Sequence, residues 1–104
     1  MGLTVYWTQF AEDKLEDLFS YYNVKASLRV AQHLVDEIIE RSLELETNPL
    51  IGQKEILLAD RVPEFRYLVY KNYKIIYWIN SKRQRIEIVN LFDCRQNPQK
   101  MNEL

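Results

Sequence analysis

The sequence predicts a small α+β domain: a short N-terminal strand, a helical hairpin, then an antiparallel three-stranded meander, in the order β-α-α-β-β-β. Three observations predict it. Phe65–Phe92 holds three runs rich in aromatic and β-branched residues, separated by turn-type residues, which is the pattern of consecutive strands. Residues 8–46 repeat apolar positions at helical spacing in two stretches joined by a short link. The chain has 104 residues, 47% of them hydrophobic. That suits one domain over residues 1–104 with a core that needs no covalent staple.

The elements follow in order. Leu3–Trp7 alternates as a short strand, with Val5 and Trp7 on one side. Thr8 suits a helix N-cap, because its hydroxyl accepts an orphan backbone N–H. Glu12 and Asp13 then lie where a helix dipole favours anions. Leu15, Leu18, Phe19 and Tyr22 form one stripe, and this helix is expected to end near Tyr22-Asn23. A second helix is expected from about Lys25 to Glu46. Leu28, Ala31, Leu34, Val35, Ile38, Ser42 and Leu45 form its stripe. Thr47-Asn48-Pro49 stops it, since the residue before proline disfavours helical ψ. A short connection makes the two helices antiparallel neighbours that bury their stripes on the sheet. In Leu50–Glu64, Gly52 marks a turn, and Ile56-Leu57-Leu58 is either a brief strand or a cap on one end of the core.

The register of the strands depends on the turn, where a two-residue turn and, with no Gly beside Asn72, a longer loop both fit. A two-residue turn at Lys71-Asn72, with Asn able to take positive φ, pairs Tyr70 with Tyr73, Leu68 with Ile75 and Arg66 with Tyr77 on one face. Val69 then meets Lys74, Tyr67 meets Ile76 and Phe65 meets Trp78 on the other. Each face carries large side chains and a cation. Two arrangements fit: a sheet covered on both faces by its own chain, or one face packed on helices and the other open to a partner.

The net charge of −1 hides an asymmetry. Residues 1–60 hold five Lys/Arg against eleven Asp/Glu, a net of −6, and residues 61–104 hold nine against four, a net of +5. Phe65–Ile86 holds six basic residues and no carboxylate. Lys82, Arg83 and Arg85 fit a strand link kept from pairing with other sheets. Arg66 and Lys74, set among aromatics in mid-strand, point instead to a surface that meets nucleic acid or an acidic protein segment.

The single cysteine, Cys94, excludes an intramolecular disulfide and fits a reducing compartment, most simply the cytoplasm. It is expected to be a small packing residue near a strand end. No apolar stretch has membrane-spanning length, and the N-terminus lacks the regions of a signal peptide. His33, the only histidine, falls off the helix stripe. No cluster has metal-ligand spacing, and no cofactor motif appears. The remaining candidates for chemistry are Arg66, Lys74, Tyr77 and Arg95. Such cations hold phosphates or stabilise a phosphorane-like transition state, with a tyrosine or lysine moving a proton.

In order and spacing the chain resembles the RelE/ParE superfamily of type II toxin–antitoxin toxins over nearly its whole length. The matching elements are Val5-Tyr6-Trp7-Thr8 leading into a helix with Ala11 and Leu18, the long second helix, and Leu45-x-x-x-Pro49-x-x-Gly52. Arg66-Tyr67-Leu68-Val69, Tyr73-Lys74-Ile75-Ile76-Tyr77 and Asp93-Cys94-Arg95-Gln96-Asn97-Pro98 complete the match. The resemblance implies a growth-inhibiting toxin of a plasmid-stabilisation type, wrapped and silenced by a cognate antitoxin. RelE-like members cut mRNA on the ribosome and ParE-like members inhibit DNA gyrase. Lys74 stands where RelE-like enzymes usually have arginine, Arg95 matches the arginine after the last strand, and Arg66 fits a basic position on the preceding strand. The lysine-rich strand of the ribosome-dependent nucleases reads Arg66-Tyr67-Leu68-Val69-Tyr70 here. No tyrosine follows Arg95, and Asp93 replaces a histidine found in some members. The resemblance therefore favours the ParE-like branch and a protein target. An mRNA endoribonuclease using Arg66, Lys74, Tyr77 and Arg95 is the alternative, and a non-toxic antitoxin-binding remnant a second one.

Overall fold

The computed structural model describes residues 2–102, so Met1, Glu103 and Leu104 of the expected single domain lie outside the described residues. Strand β1 (Thr4–Trp7) is followed by helices α1 (Gln9–Lys25) and α2 (Leu28–Leu43). Strands β2 (Gln53–Lys54), β3 (Arg66–Tyr70), β4 (Tyr73–Asn80) and β5 (Arg85–Asp93) follow, with 3₁₀ turns at Glu44–Glu46, Ile56–Leu58 and Pro98–Asn102. The five strands form one sheet in the order β1-β5-β4-β3-β2. All neighbours are antiparallel except β1, which runs parallel to β5.

Local chemistry sets the helices. The Thr8 hydroxyl accepts from Ala11 N at 3.3 Å and the Ser27 hydroxyl from Val30 N at 3.1 Å, so each helix starts on a side-chain cap. The first helix runs to Lys25, two to three residues past its expected end, because the Ala26 N–H still bonds back to Tyr22 O. The second therefore begins at Leu28 instead of Lys25. It ends at Leu43, its last expected turn tightening into the 3₁₀ turn Glu44–Glu46. Ala31, Leu34, Ile38, Ser42 and Leu45 of the expected stripe are buried and Val35 is half-buried. Leu28 is exposed, since it stands at the tip of the hairpin.

The five β3–β4 pairs from Arg66–Tyr77 to Tyr70–Tyr73 match the register read from the sequence. Phe65 falls outside the strand but packs in the same cluster as Trp78. In the turn, positive φ falls on Lys71 (53°) and not on Asn72. Asn72 instead accepts Cys94 N at 2.8 Å through its carbonyl. Between β4 and β5 the register shifts at Ile76/Tyr77, so that Ile76 faces Asn90 while Tyr77 faces Ile88. This bulge lets Ile86, Ile88 and Leu91 all join the cluster on the helix side, while Phe92 joins the cluster on the opposite face.

Two apolar clusters result. The larger joins Leu18, Leu34, Ile38 and Leu45 to Leu68, Ile75, Tyr77 and Ile88, between hairpin and sheet. The smaller, on the other face, joins Leu58, Phe65, Ile76, Phe92 and Met101. Both sheet faces thus receive cover from the chain itself. The second cover is thin, made by the 3₁₀ turns that carry Leu58 and Met101. Ile56–Leu58 is a turn that caps this core, and the two-residue strand β2 was not legible in the sequence. Cys94 differs from expectation: it lies in the turn after β5 and is exposed.

Candidate functional site

Three of the four candidate residues converge on one segment, the crossover from Pro49 to Phe65 that carries the chain around the edge of the sheet. Tyr77 is fully buried in the larger cluster. Its hydroxyl donates to Pro49 O at 2.7 Å and accepts from Gly52 N at 3.0 Å. Burial raises its pKa above the ordinary tyrosine value, against the lowering effect of the Gly52 N–H and the Arg66 charge. Arg66, directly across from Tyr77, donates Nη1 to Gly52 O at 2.9 Å and pairs Nη2 with Glu64 at 3.2 Å. Both backbone groups of Gly52 are therefore held by side chains from the two central hairpin strands.

Gly52 is required here by close approach and not by its dihedrals, since no glycine of the chain has positive φ. A Cβ on Gly52 would lie 2.5 Å from Tyr77 Oη and 2.8 Å from Tyr67 O. The backbone can reach the tyrosine hydroxyl because no side chain intervenes.

Lys74 lies on the opposite face of the sheet, paired across β3 with Val69. Its Nζ meets Glu55 Oε2 at 2.8 Å and sits 4.2 Å from the centre of the Tyr67 ring. Glu55 is buried, and its other oxygen accepts Leu57 N at 3.1 Å, capping the 3₁₀ turn Ile56–Leu58. A buried carboxylate of this kind requires a cation, and Lys74 supplies it. Tyr77 and Arg66 thus hold the start of the crossover from the helix side, and Lys74 holds its middle from the other.

Arg95 stands apart. Its guanidinium grips Asp93 through Nε at 3.0 Å and Nη2 at 2.7 Å, and its own N–H bonds to the same carboxylate at 2.9 Å. The Arg95 hydrogen bond holds the Asp93 carboxyl below the usual range, outweighing partial burial. Arg95 lines a cleft of about 460 Å³ between α1 and the end of β5, with Lys14, Asp17, Tyr21, Tyr22 and Tyr73 around it. Burial raises the Tyr73 pKa, and its hydrogen bond to Tyr22 adds to the effect. The tyrosines were not singled out from the sequence. The available signal was that Tyr21 and Tyr22 fall at the end of the first stripe while Tyr73 opens the strand beside Asp93.

Among the described residues no group of three or more His, Cys, Asp or Glu is placed to hold a metal ion, and no helix is long and apolar enough to cross a membrane. His33 is an exposed residue of α2 that meets Glu37 at 3.2 Å.

The architecture has a solved counterpart. A structure described as the chromosomal ParDE TA system from P. aeruginosa is similar with a TM-score of 0.72 and 19% sequence identity, over 88% of this chain and 95% of that one. At that identity the likeness defines the fold class: an α+β sheet with a helical hairpin on one face. No curated protein sequence matches. A family model described as the ParE toxin of the type II toxin–antitoxin system parDE matches residues 5–98. The chain belongs to this family of ParE toxins, the toxin half of a module whose other half is an antitoxin.

Proposed function

We propose that this protein acts in the cytoplasm as a toxin that binds a protein target, with DNA gyrase the leading candidate, and is silenced when its cognate antitoxin binds it. It acts by occupying a surface and performs no bond-breaking step. The observation that carries this reading is the placement of the four candidate residues. A nuclease needs its acid, base and cations within reach of one phosphate. Here the Tyr77 hydroxyl is buried and engaged by Pro49 and Gly52. Lys74 lies on the other face against Glu55, and Arg95 sits with Asp93 in a separate cleft. Under this reading Arg66, Lys74 and Tyr77 shape the crossover, and Arg95, whose side chain is 62% exposed, touches the target.

The test is induced expression of the chain alone, with transcripts and DNA followed over time and purified protein added to a gyrase supercoiling assay. Growth arrest with intact transcripts and inhibited supercoiling supports the proposal. Rapid transcript cleavage, lost in Lys74→Ala and Arg95→Ala, would establish a ribosome-dependent mRNA endoribonuclease instead. No effect on growth would mean a non-toxic antitoxin-binding remnant. Arg95→Ala is expected to abolish toxicity while the melting temperature stays near that of the parent. A melted Arg95→Ala protein would make the residue structural.

A further inference from the structure

Two exposed arginines of the chain stand in contrast. Arg83, in the turn between β4 and β5, makes no ion pair among the described residues. Arg95 also faces solvent, yet Asp93 holds it by a fork, Nε to Oδ1 at 3.0 Å and Nη2 to Oδ2 at 2.7 Å. An exposed ion pair is ordinarily a loose contact. The two-point fork between guanidinium and carboxylate is the exception, because it fixes the plane as well as the distance. The carboxylate is itself fixed. Asp93 is the last residue of β5 and pairs across the sheet with Tyr73. Its Oδ1 also accepts from the Arg95 N–H at 2.9 Å and from Asn72 Nδ2 at 3.4 Å. The turn that follows is tied down by Cys94 N to Asn72 O at 2.8 Å and by Gln96 N to Asp93 O at 2.9 Å. Backbone and side chain of Arg95 thus close on one carboxylate that the sheet carries. The charges around the cleft cancel, with Lys14 and Arg95 facing Asp17 and Asp93. Long-range attraction therefore does not choose what binds here. What the site offers is direction: Asp93 occupies one edge of the guanidinium, and the remaining N–H donors point away from it.

We infer that Asp93 is a positioning residue, whose carboxylate sets the orientation of the Arg95 guanidinium before the target arrives, so that its remaining donors meet an acceptor oxygen on the target. This rests on the reading that Arg95 touches a protein target, and it names the group that prepares Arg95 for that contact. The physical reason is entropy. A long, flexible side chain loses rotamer freedom when it is caught at an interface, and that loss weakens binding. An arginine already held in one geometry has given up that freedom on folding. Asn in place of Asp93 isolates this role. Its amide oxygen still accepts the Arg95 N–H and so keeps the turn, but its NH2 opposes Nη2, donor against donor. The fork opens while the fold stays, because an exposed pair contributes little to stability.

The experiment uses the full chain as parent, Asp93→Asn and Arg95→Ala. Glu44→Gln is the control, since it removes another exposed ion pair, the one with Arg41. The readouts are thermal melts, growth arrest against the cellular level of toxin, and NMR relaxation of the arginine Nε–H groups, with the unpaired Arg83 as internal reference. The parent is expected to show an ordered Arg95 Nε–H beside a mobile Arg83. Asp93→Asn is expected to melt with the parent, to lose that order, and to need roughly three- to tenfold more protein to stop growth, the range that ordering one such side chain allows. Glu44→Gln is expected to match the parent throughout. A parent Arg95 as mobile as Arg83 would overturn the inference without any variant. So would an Asp93→Asn protein that loses the order and keeps parent toxicity, or becomes more toxic, which would make Asp93 a mask; the target reading survives both. Lost toxicity with Arg95 order unchanged would show that Asp93 meets the target itself, and a melted Asp93→Asn protein would make it structural; either result overturns the positioning role. If Arg95→Ala is as toxic as the parent, or the parent stops no growth, the underlying reading fails and takes the inference with it.

Discussion

Replacing Tyr77 with Phe removes one oxygen from the interior and leaves the ring in place. That oxygen carries two hydrogen bonds, to Pro49 O at 2.7 Å and from Gly52 N at 3.0 Å. Gly52 is buried, so its N–H finds no water when the hydroxyl is gone, and an orphaned buried donor costs about 1–3 kcal/mol. Pro49 is only half-buried, so its carbonyl can be rehydrated, and its lost bond costs about 1 kcal/mol. The total is roughly 2–4 kcal/mol, which in a domain near 100 residues lowers the melting temperature by roughly 10–25 °C. Thermal melts followed by circular dichroism read this directly, in parallel with a growth assay. A Tyr77→Phe protein that melts with the parent but has lost its toxicity would refute the structural role, because the hydroxyl would then serve function alone.

Ile38→Ala empties a fully buried position between hairpin and sheet; it is expected to destabilise by about 2–5 kcal/mol in chemical denaturation, and unchanged stability would mean that stripe faces solvent. Asn90 is fully buried beside the bulge with neither side-chain amide atom partnered. Asn90→Leu is therefore expected to stabilise by about 1 kcal/mol in the same assay, whereas a clear loss would reveal a polar partner. Tyr70 is pushed up to about 12 by burial, helped by its bond to Glu37, and burial also raises Tyr73 and Tyr77. The folded chain thus keeps protons that the unfolded chain releases above pH 10, so stability is full below pH 10 and falls as pH rises toward 12. Tyr70→Phe is expected to make that alkaline fall shallower, and a melting temperature flat from pH 9 to 12 would contradict the assignment.

Much of this was legible because it is local. The Thr8 cap, the Ala31–Leu34–Ile38 stripe and the β3–β4 register depend on residues a few positions apart, where periodicity and turn length decide the outcome. What escaped depends on distant partners. Gly52 reads as a turn in sequence, yet its reason is Tyr77, twenty-five residues on. The short strand β2 exists only because β3 offers it Arg66 and Tyr67, and the bulge at Asn90 has no glycine to announce it. Arg66, Lys74 and Tyr77 were found because each is a cation or tyrosine on an apolar strand, and Arg95 because it follows the last strand. Strand alternation already put Lys74 on the face opposite Tyr77, and the β3–β4 register agrees; what the spacing does not reveal is that Glu55 is waiting there.

The parallel pairing of β1 with β5 has a consequence for how the protein comes into being. Residue 4 finds its partner only at residue 85, and β5 is the strand that joins β1 to β4. A nascent chain that has not yet released Arg85–Asp93 lacks the strand on which the helical hairpin, β1 and β4 close. Prematurely ended products should be unfolded substrates for proteolysis and not partial toxins. The activity would then switch on only after Asp93 has emerged, which leaves the synthesis of all that precedes it for a waiting partner to gather.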